Sequence, residues 1–183
     1  MNRKVVSCSQ FFQETDILEL KLETLWDYVD YFIISESNHT HSGQNKIFNL
    51  LLPENKKRFE KYSKKIIYQK VRDTPSNYTN LRHNGDFVHD YVTDKINAQT
   101  HWPKNVESYG RDSWEKEVLI VPLLRQGFSD EAVILFSDLD EIVKPESLQE
   151  TLENFNENQV YNFAHGMYYY YMNVKKQNIS LNN

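Results

Sequence analysis

The sequence has little of the residues that define several familiar protein classes. Its one cysteine, Cys8, can form neither an internal disulfide nor a cysteine-based zinc site. Cys8 lies in an apolar run, so we expect a buried and unreactive thiol. Only five glycines and five prolines occur among 183 residues, which excludes collagen-like and linker-like chains.

Long apolar runs are also missing. No run approaches the roughly 20 residues that cross a bilayer, and no signal-peptide core follows the basic N-terminus. The chain as written is therefore expected to be cytoplasmic.

Positive charge is scarce in the second half of the chain. Residues 76–183 carry 9 Lys and Arg against 16 Asp and Glu, whereas residues 1–75 carry 12 against 10. This acidity argues against nucleic acid as a partner, because binding to nucleic acid depends on neutralising phosphates. It suits a site that holds a cation.

Apolar patterning predicts strands alternating with helices. The predicted strands are 5–9, 31–35, 66–71 and 132–136, with a further aromatic, extended stretch over 159–172. The predicted helices are 14–29 (capped by Thr15 or Asp16), 53–64, 87–96, 112–126 (ended by Gly127) and 145–155. This order predicts an α/β fold with a mostly parallel sheet and helices on both faces, in one domain over residues 1–183. Residues 72–110 otherwise lack periodicity, as functional loops often do.

Candidate chemistry follows the strongest predicted strand. Residues 132–136 are apolar, and the acidic residues Asp138, Asp140 and Glu141 come just after them. Ligands of parallel α/β sheets bind outside the carboxyl ends of strands, and strand alternation points Asp138 and Asp140 the same way. Two adjacent carboxylates repel each other and invite a hard cation such as Mg²⁺ or Mn²⁺. The alternative is an acidic turn that caps the helix after Pro145.

Two enzyme classes use such an Asp-x-Asp pair. Nucleotide-sugar transferases hold a metal diphosphate with it, and phosphohydrolases of the haloacid dehalogenase type use its first Asp as a nucleophile. The hydrolase is the weaker interpretation, because Ile142 stands where that motif usually has Thr or Val. In addition, only 43 residues follow Asp140, where the hydrolase needs further strands.

Three stretches together resemble glycosyltransferase family 17, which includes the enzyme that adds the bisecting N-acetylglucosamine to N-glycans. They are residues 14–38, residues 58–59 with 65–67, and residues 137–142 with Pro145. Residues 167–173 show a weaker similarity. The resemblance implies a GT-A fold and inverting transfer of a sugar from a UDP-sugar donor to a glycan acceptor. The expected donor is UDP-N-acetylglucosamine. It also implies Mn²⁺ (or Mg²⁺) as the cofactor, and the Golgi lumen as the compartment if an anchor was removed.

The resemblance also implies roles for individual residues. Asp140 is expected to bind the metal, and Asp138 to lie beside the metal or the ribose. The expected donor contacts are Phe12, Glu14, Glu36, Ser37, Asn38 and Arg111. Arg111 is equally well explained as a surface residue at a helix start. His165 and Tyr169 are candidate acceptor contacts. A lone histidine such as His165 is more often structural, and the alternative for the run Tyr168–Tyr171 is an apolar strand that completes the core or a surface exposed by truncation.

Several alternatives stay open at this point. An inverting transfer needs a general base, and Glu141, Asp112 and Glu115 are equal candidates. Family members usually continue beyond the position of Asn183, so the chain is expected to be truncated or minimal relative to them. A module that binds a nucleotide sugar without transferring it is therefore a second hypothesis. An apolar surface left by truncation would favour self-association.

Overall fold

A computed structural model describes residues 3–72, 74–128 and 131–164 of the chain. Its sheet consists of β1 (Val5–Gln10), β2 (Tyr31–Ser37), β3 (Ile66–Val71) and β4 (Val133–Phe136). All neighbouring strands are parallel, and their order is β3-β2-β1-β4. This arrangement confirms the predicted α/β class with a parallel sheet.

The strand order reverses direction at β1. The chain steps from β1 to β2 and then to β3 on one side, whereas β4 returns to the other side of β1, with Val5 opposite Val133. The carboxyl ends of β1 and β4 therefore flank a topological switch point. Crevices at such points are the usual ligand sites of open parallel sheets.

The helices occupy the segments between and after the strands. They are α1 (Thr15–Leu25), α2 (Pro53–Phe59), α3 (Phe87–Ala98), α4 (Glu107–Glu117), α5 (Ile120–Gln126) and α6 (Pro145–Glu153). Short 3-10 turns lie at Asn49–Leu51 and Glu60–Tyr62. Pro53 and Pro145 open their helices as predicted, because a first helical turn does not need the N–H that proline lacks.

Two helix predictions need correction. The single helix predicted over 112–126 is instead α4 followed by α5, because Pro122 has no N–H to bond the carbonyl of Val118. Val121 donates to that carbonyl in a tighter turn. At α1 the capping position is Glu14 rather than Thr15 or Asp16, and no side-chain bond caps this helix. Gly127 does end α5, in the left-handed conformation that glycine adopts readily.

The central strands are buried on both faces. Cys8 on β1 and Ile33 on β2 are fully buried in one apolar cluster with Leu119. Cys8 is buried as predicted, and burial raises the pKa of its thiol to about 12, which disfavours the reactive thiolate. The edge strand β4 differs, since Ile134 and Phe136 are 41% and 53% exposed.

A second apolar cluster organises the segment between β3 and α4, where the sequence lacks periodicity. Tyr78 and Trp102 from loops pack with α3 and with Trp114 of α4. The ring of Tyr78 lies so close to Gly110 that a Cβ at this position would overlap it. Contacts distant in sequence therefore order this long connection, rather than a repeating pattern within it.

The chain divides into two compact units, residues 1–142 and 143–183. The whole sheet belongs to the first unit, and α6 to the second. Of the predicted extended stretch 159–172, residues 159–164 have no regular secondary structure and the others lie outside the described residues. None of the described helices is both long and apolar enough to pass through a membrane.

Candidate functional site

A cavity of about 390 Å³ opens at the carboxyl ends of β1, β2 and β4, within the first unit. Its position agrees with the prediction that a site follows the strand before Asp138. The residues that line it are Gln10, Phe11, Phe12, Glu14, Ile17, Ser37, His39, His41, Lys46, Asp112, Glu115, Asp138, Leu139 and Asp140.

The segment Ser137–Glu141, which we call the acidic loop, forms one wall of the cavity. The N–H of Ser137 donates to the carbonyl of Cys8 at 3.2 Å, which prolongs the pairing of β4 with β1. Asp138 and Asp140 are exposed and line the cavity, whereas Leu139 between them is buried. The carboxylate of Glu141 accepts from the N–H of Asp138 at 3.1 Å and closes the turn.

A buried lysine lies beneath the acidic loop. Lys21 of α1 is 1% exposed, and its Nζ donates to Ser9 Oγ on β1 and to Ser137 Oγ, both at 2.8 Å. The same Nζ donates to the carbonyl of Asp138 at 2.8 Å and, more weakly, to that of Glu141 at 3.4 Å. Burial lowers the pKa of Lys21 to about 8, against the opposing effect of the acidic-loop carboxylates.

A second lysine approaches the loop from α4. Lys116 Nζ lies 3.1 Å from Asp112 Oδ2 and 3.6 Å from Asp138 Oδ1. Its side chain is 34% exposed. Lys116 therefore meets the carboxylate of Asp138 directly, whereas Lys21 holds the backbone of the acidic loop.

Glu115 of α4 also lines the cavity. It is 8% exposed, and its Oε1 is buried without a hydrogen-bond partner. Burial, assisted by the negative charge of Asp112, raises the pKa of Glu115 to about 7, although a bond with Ser37 and the charges of Lys46 and Arg111 oppose the shift. A carboxyl group that changes charge near neutral pH is suited to exchanging protons with a ligand.

The three residues at the end of β2 have different surroundings. Ser37 lines the cavity, and Asn38 has a buried Oδ1 without a hydrogen-bond partner. Glu36 is buried and forms an ion pair with Lys46 at 2.9 Å. It also accepts from the hydroxyl of Tyr68 at 2.7 Å and from backbone N–H groups of the 3-10 turn at Asn49–Leu51. Its carboxylate thus secures the loop after β2.

The loop after β1 supplies two of the predicted donor contacts, and both line the cavity. Glu14 Oε2 accepts from the N–H groups of Phe12 and Gln13 at 3.0 and 2.9 Å, which curls the loop over the end of β1. The ammonium of Lys46 lies 5.1 Å from the centre of the Phe12 ring. Such a contact attracts the cation to the face of the ring.

Arg111 lies inside α4 and is buried, so its interpretation as a surface residue at a helix start is wrong. It donates to the carbonyl of His41 at 3.0 Å and pairs with Glu107. Gly43, in the left-handed region at φ +83°, leaves room for the guanidinium. Arg111 is not among the lining residues, and it fixes the loop that brings His41 to the cavity.

Two predicted residues, His165 and Tyr169, lie outside the described residues. Some residues that line the cavity or lie beneath it escaped prediction. Lys21 was missed although its signal is visible, since it shares the buried face of α1 with Leu18 and Leu22. His39, with its buried unpartnered Nδ1, and Lys46 follow β2 closely, but their spacing matches no metal or catalytic motif.

The donor set favours hard cations, because carboxylates of the acidic loop face the cavity. Over residues 3–72, 74–128 and 131–164, no three His, Cys, Asp or Glu side chains converge on a point where a metal would bind. A divalent cation held by one or two carboxylates, with substrate phosphates and water as further ligands, is the usual pattern for Mg²⁺. The described residues fit a cation of that kind.

The fold and cavity define an α/β protein with an acidic cavity at the switch point of a parallel sheet. Residues 1–88 match the family model described as Glycosyltransferase family 17, which supports membership of that family and glycosyltransferase activity, in agreement with the resemblance seen in the sequence. The matched residues include β1 to β3 and end before the acidic loop. No curated protein and no solved structure matches the chain significantly.

Proposed function

We propose that the protein is a metal-dependent, inverting glycosyltransferase that transfers a sugar from a UDP-sugar donor to a glycan acceptor. N-acetylglucosamine is the proposed sugar. One observation carries the proposal. In a chain whose first 88 residues match a glycosyltransferase family, the acidic loop and the loop after β1 meet at one cavity at the switch point of the sheet.

The proposed metal is Mn²⁺ or Mg²⁺, held by Asp140 together with Asp138. When bound there, such a cation neutralises charge on the departing diphosphate. The chain's own residues supply the rest of the donor site. Phe12, Glu14 and Ser37 line the cavity and contact the nucleotide, while Glu36 and Arg111 hold the loops that carry such contacts.

Glu115 is the proposed general base, which takes the proton from the acceptor hydroxyl. It lines the cavity, and its pKa of about 7 lets it accept a proton near neutral pH. The two other candidates are less suitable, because Asp112 forms an ion pair with Lys116 and Glu141 accepts from the N–H of Asp138.

A calorimetric titration with UDP-N-acetylglucosamine, with and without Mn²⁺, tests the proposal. We expect metal-dependent binding in the wild-type protein and at least a tenfold weaker affinity in Asp140→Ala, the range seen when a metal site is disturbed. Asp94→Asn is the matched control, because Asp94 is an exposed carboxylate on α3 that pairs with His83. Its affinity should equal that of the wild type.

Other outcomes separate the alternatives. Binding without sugar transfer to any glycan in an acceptor screen would indicate a non-catalytic nucleotide-sugar module. Release of phosphate from simple phosphate esters, lost in Asp138→Asn, would indicate a phosphohydrolase. A folded wild-type protein that binds neither Mn²⁺ nor the donor would overturn the proposed function.

A further inference from the structure

The acidic loop brings negative charges together, and two lysines balance them in different ways. Lys116 reaches the carboxylate of Asp138 from the protein surface. Lys21 approaches from below, and within the acidic loop its Nζ donates to the hydroxyl of Ser137 and to the main-chain carbonyls of Asp138 and Glu141. The carboxylates of Asp138 and Asp140 are not among the acceptors of Lys21.

The bonds of Lys21 connect three elements. An ammonium group has three N–H donors, and the three acceptors at 2.8 Å are Ser9 Oγ on β1, Ser137 Oγ at the end of β4 and the carbonyl of Asp138. Since Lys21 itself belongs to α1, one buried cation ties the helix to both strands that flank the switch point. The longer contact with the carbonyl of Glu141 reaches the far end of the loop.

Burial of a lysine is unfavourable unless its charge is satisfied. The described contacts satisfy it, and the acidic loop adds an attractive field from Asp138, Asp140 and Glu141. The three acceptors at 2.8 Å engage all three N–H donors of the ammonium group. A lysine therefore occupies a position on the buried face of α1, and its ammonium group makes bonds of defined geometry to the acidic loop.

We propose that Lys21 is a positioning residue that fixes the backbone of the acidic loop, so that Asp138 and Asp140 present their carboxylates to a divalent cation in the cavity. This inference rests on the proposed function. Lys21 acts through the loop, without touching metal or donor. Lys116, in contrast, competes with the cation for the carboxylate of Asp138.

The two roles predict opposite changes in cation affinity when either lysine is replaced by methionine. Removing a nearby positive charge should by itself strengthen cation binding, because like charges repel. Lys116→Met should therefore raise the affinity for Mn²⁺ severalfold. Lys21→Met removes a positive charge too, but we expect it to lower the affinity by roughly ten- to a hundredfold, as loss of a ligand-orienting partner does.

The experiment measures Mn²⁺ affinity by calorimetry on the full chain at neutral pH for the wild type and both variants. Amide hydrogen exchange across residues 137–141 without metal provides a second readout, and it should accelerate in Lys21→Met alone. Affinity for Mn²⁺ in Lys21→Met equal to or above that of the wild type, with unchanged exchange, would overturn the positioning role.

A third variant keeps the test decisive if Lys21→Met does not fold. Ser137→Ala retains the charge of Lys21 and removes one acceptor, so we expect a smaller loss of Mn²⁺ affinity and faster exchange in the loop. Unchanged values for both would contradict the inference. Absence of Mn²⁺ binding in the wild type overturns the proposed function and this inference together, whereas tight binding by Lys21→Met overturns the inference alone.

Discussion

The proposed catalytic role of Glu115 conflicts with the contribution of this residue to stability. Its pKa rises from 4.5 to about 7 on folding, so the folded chain binds this proton more tightly than the unfolded chain does. Stability contributed by this group is therefore present at low pH and is lost as the pH rises from about 4.5 to about 7. Above about pH 7 the buried, ionised carboxylate destabilises the fold, and its proposed role as the general base would explain why it is kept.

Glu115→Gln separates the two roles. We expect the variant to be more stable than the wild type above pH 7, by up to about 3 kcal/mol, and equally stable below pH 4.5. Its kcat should fall by about a hundredfold or more, and the wild-type kcat/KM should decline below pH 7. Denaturant unfolding at several pH values and a pH–rate profile measure these effects.

Asp112→Asn provides the comparison for Glu115. Asp112 lies on the same helix and lines the same cavity, but its ion pair with Lys116 is half-exposed and contributes little to stability. The decline of kcat/KM below pH 7 should disappear in Glu115→Gln and persist in Asp112→Asn. The opposite result would show that Glu115 is not the base.

At the scale of elements, α4 is the helix on which the site depends. One of its faces presents Asp112 and Glu115 to the cavity, and Trp114 packs into the second apolar cluster. Gly110 allows the buried ring of Tyr78 to lie directly against this helix. The position of the acid-bearing face therefore depends on an aromatic contact on another side of the same helix.

Gly110→Ala should disturb that contact. Alanine favours a helix by roughly 1 kcal/mol over glycine, but its Cβ would overlap the fully buried ring of Tyr78. We expect a net destabilisation of about 1–3 kcal/mol, as in other overpacked cores, measured by denaturant unfolding.

A double-mutant cycle identifies the cause. Tyr78→Leu shortens the side chain, so adding Gly110→Ala in that background should have a smaller effect than it has in the wild type. Equal effects in both backgrounds would show that Tyr78 is not the residue that Gly110 accommodates.

At the scale of the whole molecule, the accessibility of the Cys8 thiol shows whether the chain is folded. As the only cysteine, it lies on a fully buried part of β1, with β2 on one side and β4 on the other. An alkylating reagent should therefore label the native chain slowly, through unfolding. A fragment of residues 1–88 lacks β4 and most of the second cluster, and we expect labelling at the rate of an unfolded peptide.

The full chain in denaturant provides the reference rate for this labelling. The rate of the fragment should match that reference within a factor of about two, whereas the native chain should react at least a hundredfold more slowly, as a stable fold predicts. Protection of Cys8 in the fragment would mean that three strands suffice to form the core around β1.

Much of the fold could be predicted because its signals are local. The β-branched runs of β1 to β3 and the apolar run before Asp138 indicate strands, and the alternation with helices indicates a parallel sheet. The edge of the sheet where the cavity lies follows from that topology. The break between α4 and α5 was missed because apolar spacing continues through Pro122.

The remaining features depend on contacts between distant residues. Lys21 meets Ser137, and Tyr78 meets Trp102, only after the chain has folded. The raised pKa of Glu115 is likewise a property of its buried environment. Residue type and spacing therefore predict the location of a site better than they predict which distant residues contact it.

The placement of β4 beside β1 has a consequence for biosynthesis. Val5 leaves the ribosome early, but its sheet partner Val133 is translated 128 positions later. Until then one edge of β1 has no strand to pair with, and the nascent chain carries an exposed template for wrong pairing. The wall that contains Asp138 and Asp140 is also absent during this interval, so the proposed donor and cation would stabilise the growing chain through that wall only after β4 has docked.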